Sequence, residues 1–143
     1  MRIVIGSDHA GFSLKKSCVD FFKGNEKYEI LDIGVFNEKP SDYPLIANEA
    51  VAKIREGLCD CGILICGTGI GMSITANRHK GIRAALCHNE LTAYMSRAHN
   101  DSNILVIGAR VTTEENALKL VEIFTETSFE QGRHLERLNM IDC

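Results

Sequence analysis

The chain has 143 residues, of which 45% are hydrophobic and 24% charged, with a net charge of −3. That is enough for one domain with its own core, and the acidic balance excludes a broad nucleic-acid or membrane-surface footprint. The longest apolar runs fall far short of a membrane span. The N-terminal "MRIVIGSDHAG" lacks the long apolar region and cleavage site of a secretion signal, so the expected location is the cytoplasm.

Apolar runs of strand length recur along the chain. The first is Ile3–Ile5, followed by a helical pattern from Phe12 to Phe22 with apolar residues at Phe12, Leu14, Cys18, Val19 and Phe22. A second strand is expected over Ile30–Ile33 and a second helix over Ala47–Leu58, with Gly57 close to its end. The third strand, Ile63–Cys66, runs into a glycine-rich loop, and a short helix is expected to start in or just after that loop and run toward His79. The fourth strand is Ile82–Leu86, then a helix over Glu90–Ala98 capped by Asn89. The fifth strand is Ile104–Ile107, then a helix over Glu114–Thr127 capped by Thr113, with acids in its first turn. Gly132 is expected to break that helix, and a last short helix carries Arg133 and Arg137.

Five strand–helix alternations imply a parallel sheet covered on both faces. With right-handed crossovers this is an α/β fold, a Rossmann-like doubly wound five-stranded parallel sheet with an extra C-terminal helix, in the order 2-1-3-4-5 or a close variant. There is no interior linker, so residues 1–143 are expected to form a single domain. The six cysteines are Cys18, Cys59, Cys61, Cys66, Cys87 and Cys143. They read as reduced thiols, mostly small buried hydrophobes, because "LCDCG" has the wrong spacing for a common zinc site and no second pair follows.

Ligands of open α/β sheets bind beyond the C-terminal strand ends. Polar residues gather at these positions in this chain: Asp8 and His9 after the first strand, Asp42 and Tyr43 in the second loop, Cys66 and "GTGIG" after the third. His99, Asn100 and Asp101 end the fourth helix, and Arg110 follows the fifth strand. Glycines let the backbone approach a ligand closely, and successive N–H groups make an anion-binding nest. A thiol beside such a nest has its thiolate stabilised, which suits a base or a nucleophile. Blander readings stand beside these. Cys66 fits a packed core thiol, Asp8 a helix cap, His99 a helix end, and Tyr43 before Pro44 an ordinary turn pair. Arg133 and Arg137, four apart, fit either surface ion pairs with Glu130 and Glu136 or a phosphate clamp. His79, His88 and His134 read as surface histidines. "GTGIG" is neither the dinucleotide fingerprint nor a Walker loop.

Five motifs in series, "GSDHAGFSLK", "DYP", "GILICGTGIGMSITANRHKGIRAALC", "SRAHNDSNILVIGARV" and "GRHLERL", closely resemble the B-type ribose-5-phosphate isomerases. That family includes allose-6-phosphate isomerases and is related to the two-subunit galactose-6-phosphate isomerases. The resemblance spans nearly the whole chain. It implies an aldose–ketose isomerase that works without metal or cofactor, on ribose 5-phosphate first and on a six-carbon sugar phosphate as the alternative; a non-catalytic sugar-phosphate sensor is the competing reading from another class. It also implies roles. Cys66 is the base between carbons 1 and 2, the backbone N–H groups of Gly67, Gly69, Ile70 and Gly71 hold the enediolate, and Thr68 and Asp8 assist proton movement. His99 opens the furanose ring with Asn100 beside it, Tyr43 lines the sugar pocket, and His9, Arg110, Arg133 and Arg137 hold the phosphate. The family's site lies at a dimer interface, so a homodimer, or a tetramer of paired dimers, is implied, with His9 and Arg110 from one subunit and Arg133 and Arg137 from the other. Some members use an acidic loop residue in place of the cysteine, but that position is Met72 here. The terminal "GRH", absent from the galactose-type enzymes, favours the ribose type. The loop 34–41 matches no motif.

Overall fold

The computed structural model describes residues 1–141 of the chain; the sixth cysteine, Cys143, lies outside the described residues. The strands are β1 (Arg2–Ser7), β2 (Glu29–Gly34), β3 (Cys61–Cys66), β4 (Ala84–Leu86) and β5 (Ile104–Gly108). The helices are α1 (Phe12–Phe21), α2 (Tyr43–Arg55), α3 (Ile70–Ala76), α4 (Glu90–Ala98), α5 (Glu114–Glu126) and α6 (Arg133–Ile141). The expected α/β Rossmann-like sandwich is present, with every neighbouring strand pair parallel.

Alternation along the strands divides the core in two, because successive side chains leave opposite faces of a strand. Ile3, Ile5, Ile63, Ile65, Leu105 and Ile107 pack with Leu14, Cys18, Leu120 and Phe124 under α1 and α5. Val4, Leu64, Cys66, Ile104 and Val106 pack with Ile46, Val51 and Met72 under α2 and α3. Cys66 is therefore on the α2/α3 face, at the last position of a strand buried along its whole length.

The sheet order is β2-β1-β3-β5-β4, which exchanges the last two strands of the order 2-1-3-4-5. The composition of the two strands explains the exchange. β5, "ILVIG", is buried at every position and fits an interior slot, whereas β4 is three residues long, half-buried, and preceded by Arg83. A short strand is the safer edge. The consequence for the site is that β3 ends next to β5, so the residues following Gly108 reach the glycine loop: Ala109 N–H donates to Cys66 O at 2.8 Å and Arg110 N–H to Gly67 O at 2.9 Å.

Local signals set most helix ends. Asn89 caps α4 in a capping box with Thr92, and Thr113 caps α5 by accepting from Asn116 N–H. α2 starts at Tyr43, four residues before the expected Ala47, because proline is at home in a first helical turn where its missing N–H costs nothing. Tyr43–Pro44 is thus a helix start and not a free turn. α5 ends at Glu126, short of Gly132; Gly132 and Gln131 instead adopt left-handed φ values of 57° and 59° and turn the chain into α6.

One buried charge escaped the helical pattern of α1. The Lys15 side chain is 1% exposed, and its Nζ donates to Asp32 Oδ1 at 2.6 Å, Ile33 O at 3.0 Å and Val35 O at 2.7 Å, with the Phe36 ring 4.4 Å away. Three acceptors and a ring satisfy the ammonium, the condition for burying one. The lysine thereby ties α1 to the end of β2 and the start of loop 34–41.

The described cysteines are free and buried. Burial pushes the Cys18 and Cys61 thiols up from 9.0 to about 12 and raises Cys59 and Cys87 as well. A group whose folded-state value is raised stabilises the fold fully below its unfolded value and loses that contribution as pH rises. Stability is therefore expected to hold to about pH 9 and to fall from there toward pH 12, by at most about 4 kcal/mol for each of these two thiols. Urea unfolding from pH 8 to 11 checks this against Cys18→Ala, which should show a shallower decline; identical declines would remove Cys18 as a cause.

Candidate functional site

A cleft of about 480 Å³ opens beyond the C-terminal ends of β1, β3 and β5, lined by Asp8, His9, Ala10, Tyr43, Cys66, Gly67, Thr68, Ile70, Gly71, Ile74 and Arg110. Nine of the fourteen residues singled out from the sequence thus line one cleft, and Gly69 is the buried residue in the middle of its loop.

Asp8 does act as a cap: its Oδ1 accepts from Ala10 N–H at 3.0 Å and Gly11 N–H at 3.2 Å. These bonds fix a buried carboxylate at the rim and leave its other oxygen without a partner among the described residues. His9 and Ser41 bond reciprocally. His9 N–H donates to Ser41 Oγ at 3.0 Å, and Ser41 N–H donates to His9 Nδ1 at 3.1 Å. A ring nitrogen that accepts carries no proton, so Nε2 bears the hydrogen and is the donor the ring offers to the cleft. Ser41 closes the loop that Lys15 anchors, which gives loop 34–41 a part in orienting His9.

Cys66 is 4% exposed, and its Sγ accepts the N–H of Gly69 at 3.2 Å. A donor aimed at sulfur stabilises negative charge there. Gly69 has φ 80°, and a Cβ on it would come within 2.4 Å of Leu86 and 3.2 Å of the Ile107 backbone, so both conformation and space demand glycine. A Cβ on Gly71 would lie 2.5 Å from the Tyr43 ring, so the missing side chain is what admits the tyrosine. The Arg110 guanidinium lies over Gly67, where a Cβ would meet its NH1 atom at 3.2 Å. The first N–H groups of α3 have no acceptor within the helix and open onto the same loop. Met72, the alternative position for a base, is fully buried in the core cluster under α2 and α3. A thiol, a carboxylate, an N–H donor cradle and two nitrogen donors around one cleft can move a proton beside a carbonyl and hold an anion.

The other four residues are elsewhere on the subunit. His99 ends α4, with Asn100 next, and Asp101 takes a left-handed φ of 42° held by Arg83 and Arg97 through ion pairs of 3.2 and 2.9 Å. Arg133 and Arg137 are exposed on one face of α6, and neither makes an ion pair among the described residues. None of the four lines the cleft around Cys66.

His134 corrects the expectation of a surface histidine. It is 6% exposed and stacks on His99 with centroids 4.0 Å apart and planes 15° from parallel. Burial first, and then the charges of His99 and Arg133, hold its imidazole below the usual range. The spacing agrees with this, since Leu138, four residues on along the same face of α6, is buried as well. Glu130 completes the group, 3.6 Å from His99 and 3.7 Å from His134.

The matching family is the decisive comparison: the model of the ribose/galactose isomerases covers residues 3–141. The chain belongs to that family. It is 40% identical over 140 residues to ribose-5-phosphate isomerase B of Escherichia coli, an alignment covering 98% of this chain and 93% of that one. Among solved structures, ribose-5-phosphate isomerase B of Clostridium thermocellum superposes with a TM-score of 0.96 at 45% identity, covering 99% of this chain and 95% of that chain. The Thermotoga maritima enzyme of the same name gives 0.94 at 45%, covering 99% and 97%. Similarity over the full length agrees with the five-motif resemblance and with a fold shared from β1 to α6.

Proposed function

We propose that this chain, acting as one isomerase domain over residues 1–143, interconverts ribose 5-phosphate and ribulose 5-phosphate through an enediolate in the cytoplasm. The observation that carries the reading is Cys66 Sγ at the cleft floor, 3.2 Å from the Gly69 N–H and beside the glycine cradle. The Cys66 thiolate takes the proton from carbon 2 of the open-chain aldose and returns it to carbon 1. The N–H groups of Gly67, Gly69, Ile70 and Gly71 hold the oxygen that gains charge. Thr68 and the free oxygen of Asp8 pass protons between the two sugar oxygens, and Tyr43 bounds the sugar. His99 opens the ring and Asn100 positions it. His9, through Nε2–H, and Arg110 bind phosphate together with Arg133 and Arg137. No step in this scheme calls for a metal or cofactor.

The division of the site residues supports assembly as a homodimer. One subunit offers the cleft, and a second copy would bring His99, Asn100, Arg133 and Arg137 to it. The apolar residues Ile70 and Ile74, more than half exposed at the cleft, would then be covered. A two-fold interface makes two equal sites. Free buried thiols suit the reducing cytoplasm, and no helix among the described residues is long and apolar enough to cross a membrane.

The direct test is a coupled assay of the purified protein on ribose 5-phosphate, allose 6-phosphate and galactose 6-phosphate. The highest kcat/KM is expected on ribose 5-phosphate; a preference for either six-carbon substrate would overturn the assignment, and binding without turnover of any would point to a sensor.

A further inference from the structure

The stack of His99 on His134 sets two imidazoles 4.0 Å apart and 15° from parallel, an arrangement the two rings alone would not favour when both are charged. The geometry points to Glu130 as the positioning residue that orients His99 and sets a negative charge beside its ring for ring opening. This rests on the assignment of His99 as the ring-opening group.

Glu130 is fixed from three directions. Its backbone N–H donates to Ala98 O at 2.9 Å, directly before His99. Its Oε1 accepts from the Tyr94 hydroxyl at 3.1 Å, on the same helix as His99. Its Oε2 lies 3.6 Å from Nε2 of His99 and 3.7 Å from Nε2 of His134. Both separations are ion-pair contacts and exceed a good hydrogen bond, so the carboxylate acts through charge and is nearly indifferent between the rings. What separates the rings is their surroundings. His134 is buried, on a helix that also carries Arg133 and Arg137. His99 is one-third exposed at the end of α4, where the helix dipole favours a cation. Glu130 therefore holds the more exposed His99 ring from one side, and the buried His134 ring is the flat surface that keeps it in place from the other.

The same three side chains have the composition of a metal-binding group. A shared metal needs ligand lone pairs that converge on one point, whereas stacked rings 15° from parallel aim theirs side by side. The arrangement fits a carboxylate that faces two stacked rings better than metal ligation.

The consequence is specific to ring opening. Ribulose 5-phosphate has its carbon-5 oxygen blocked by phosphate and cannot close to a furanose, so exchange of its carbon-1 proton with solvent deuterium bypasses that step. Glu130→Gln is expected to lower net isomerisation of ribose 5-phosphate about tenfold, less than the roughly hundredfold lower end of a general-acid effect because the charge acts through another group, while leaving deuterium uptake into ribulose 5-phosphate within about twofold. Glu130→Asp should restore part of the net rate, and Tyr94→Phe should give a smaller loss of the same kind. Equal loss of both rates in Glu130→Gln, or near-normal net turnover, overturns the proposal. Cys66→Ala run in parallel separates the two claims. If it retains both rates, the assignment of the reaction centre fails; if it loses both while Glu130→Gln shows no split, only the role of Glu130 fails.

Discussion

Cys66→Ala is expected to fold and assemble normally and to lose isomerisation of ribose 5-phosphate by at least about a hundredfold, the lower bound for removing a general base. The effects on stability and on rate separate because they have different sources. Packing around Cys66 comes from Met72, Leu64 and Val106, which remain, so trimming one sulfur should cost about 1 kcal/mol, an ordinary value for a point substitution. The rate loss comes from the proton. Met72 is apolar, and Asp8, held at the rim by its capping bonds, serves the sugar oxygens and not the carbon-bound proton, so Cys66 is the base at the glycine cradle. Deuterium exchange into ribulose 5-phosphate should disappear together with isomerisation. Alkylation gives a second readout: burial raises the thiols of Cys18, Cys59, Cys61 and Cys87, and of the labelling that does occur, the part slowed by sugar phosphate should map to Cys66. A folded Cys66→Ala protein with near-normal turnover would exclude the thiol as the base.

The sequence was most legible where one residue suffices to carry the signal. Continuous apolar runs marked β1, β3 and β5, since strands buried on both faces have no polar side to show. Asn89 and Thr113 marked helix starts through their own side chains, and the glycines of "GTGIG" marked the place where backbone must come close to a ligand. Legibility failed where the cause is a partner distant in the chain. Lys15 sits on the inner face of α1, and nothing local reveals that Asp32 and two carbonyls await it. His134 was read as a surface residue because its stacking partner is 35 positions away. The order of β4 and β5 turned on which strand better fills an interior slot, a comparison between strands that no local pattern contains. The site divided in the same way. Residues on the strand-end loops came together as the α/β rule expects, whereas the remaining four were placed at the cleft by family resemblance alone.

That division supplies the sharpest test of assembly. Arg137→Ala is expected to reduce kcat/KM for ribose 5-phosphate about tenfold or more, through loss of a charge-assisted bond to phosphate. Suppose now that Arg137 serves the cleft of the other subunit. In a mixed dimer of one Cys66→Ala chain and one Arg137→Ala chain, one site combines both defects. The other combines the intact Cys66 of the second chain with the intact Arg137 of the first. Random reassociation of equal amounts makes half of the dimers mixed, so about a quarter of the sites are complete. Mixing two impaired proteins after co-refolding should therefore raise activity to about a quarter of wild type, well above the average of the two alone. If each subunit instead completed its own site, every site in the mixture would carry one defect and no gain would appear. A second mixture, Cys66→Ala with His9→Ala, is the control: both residues line one cleft on one subunit, so the mixed dimer has no complete site and activity should remain at the level of the separate proteins. Gain in the first mixture and none in the second would place Arg137 across the interface, and no gain in either would return it to its own subunit.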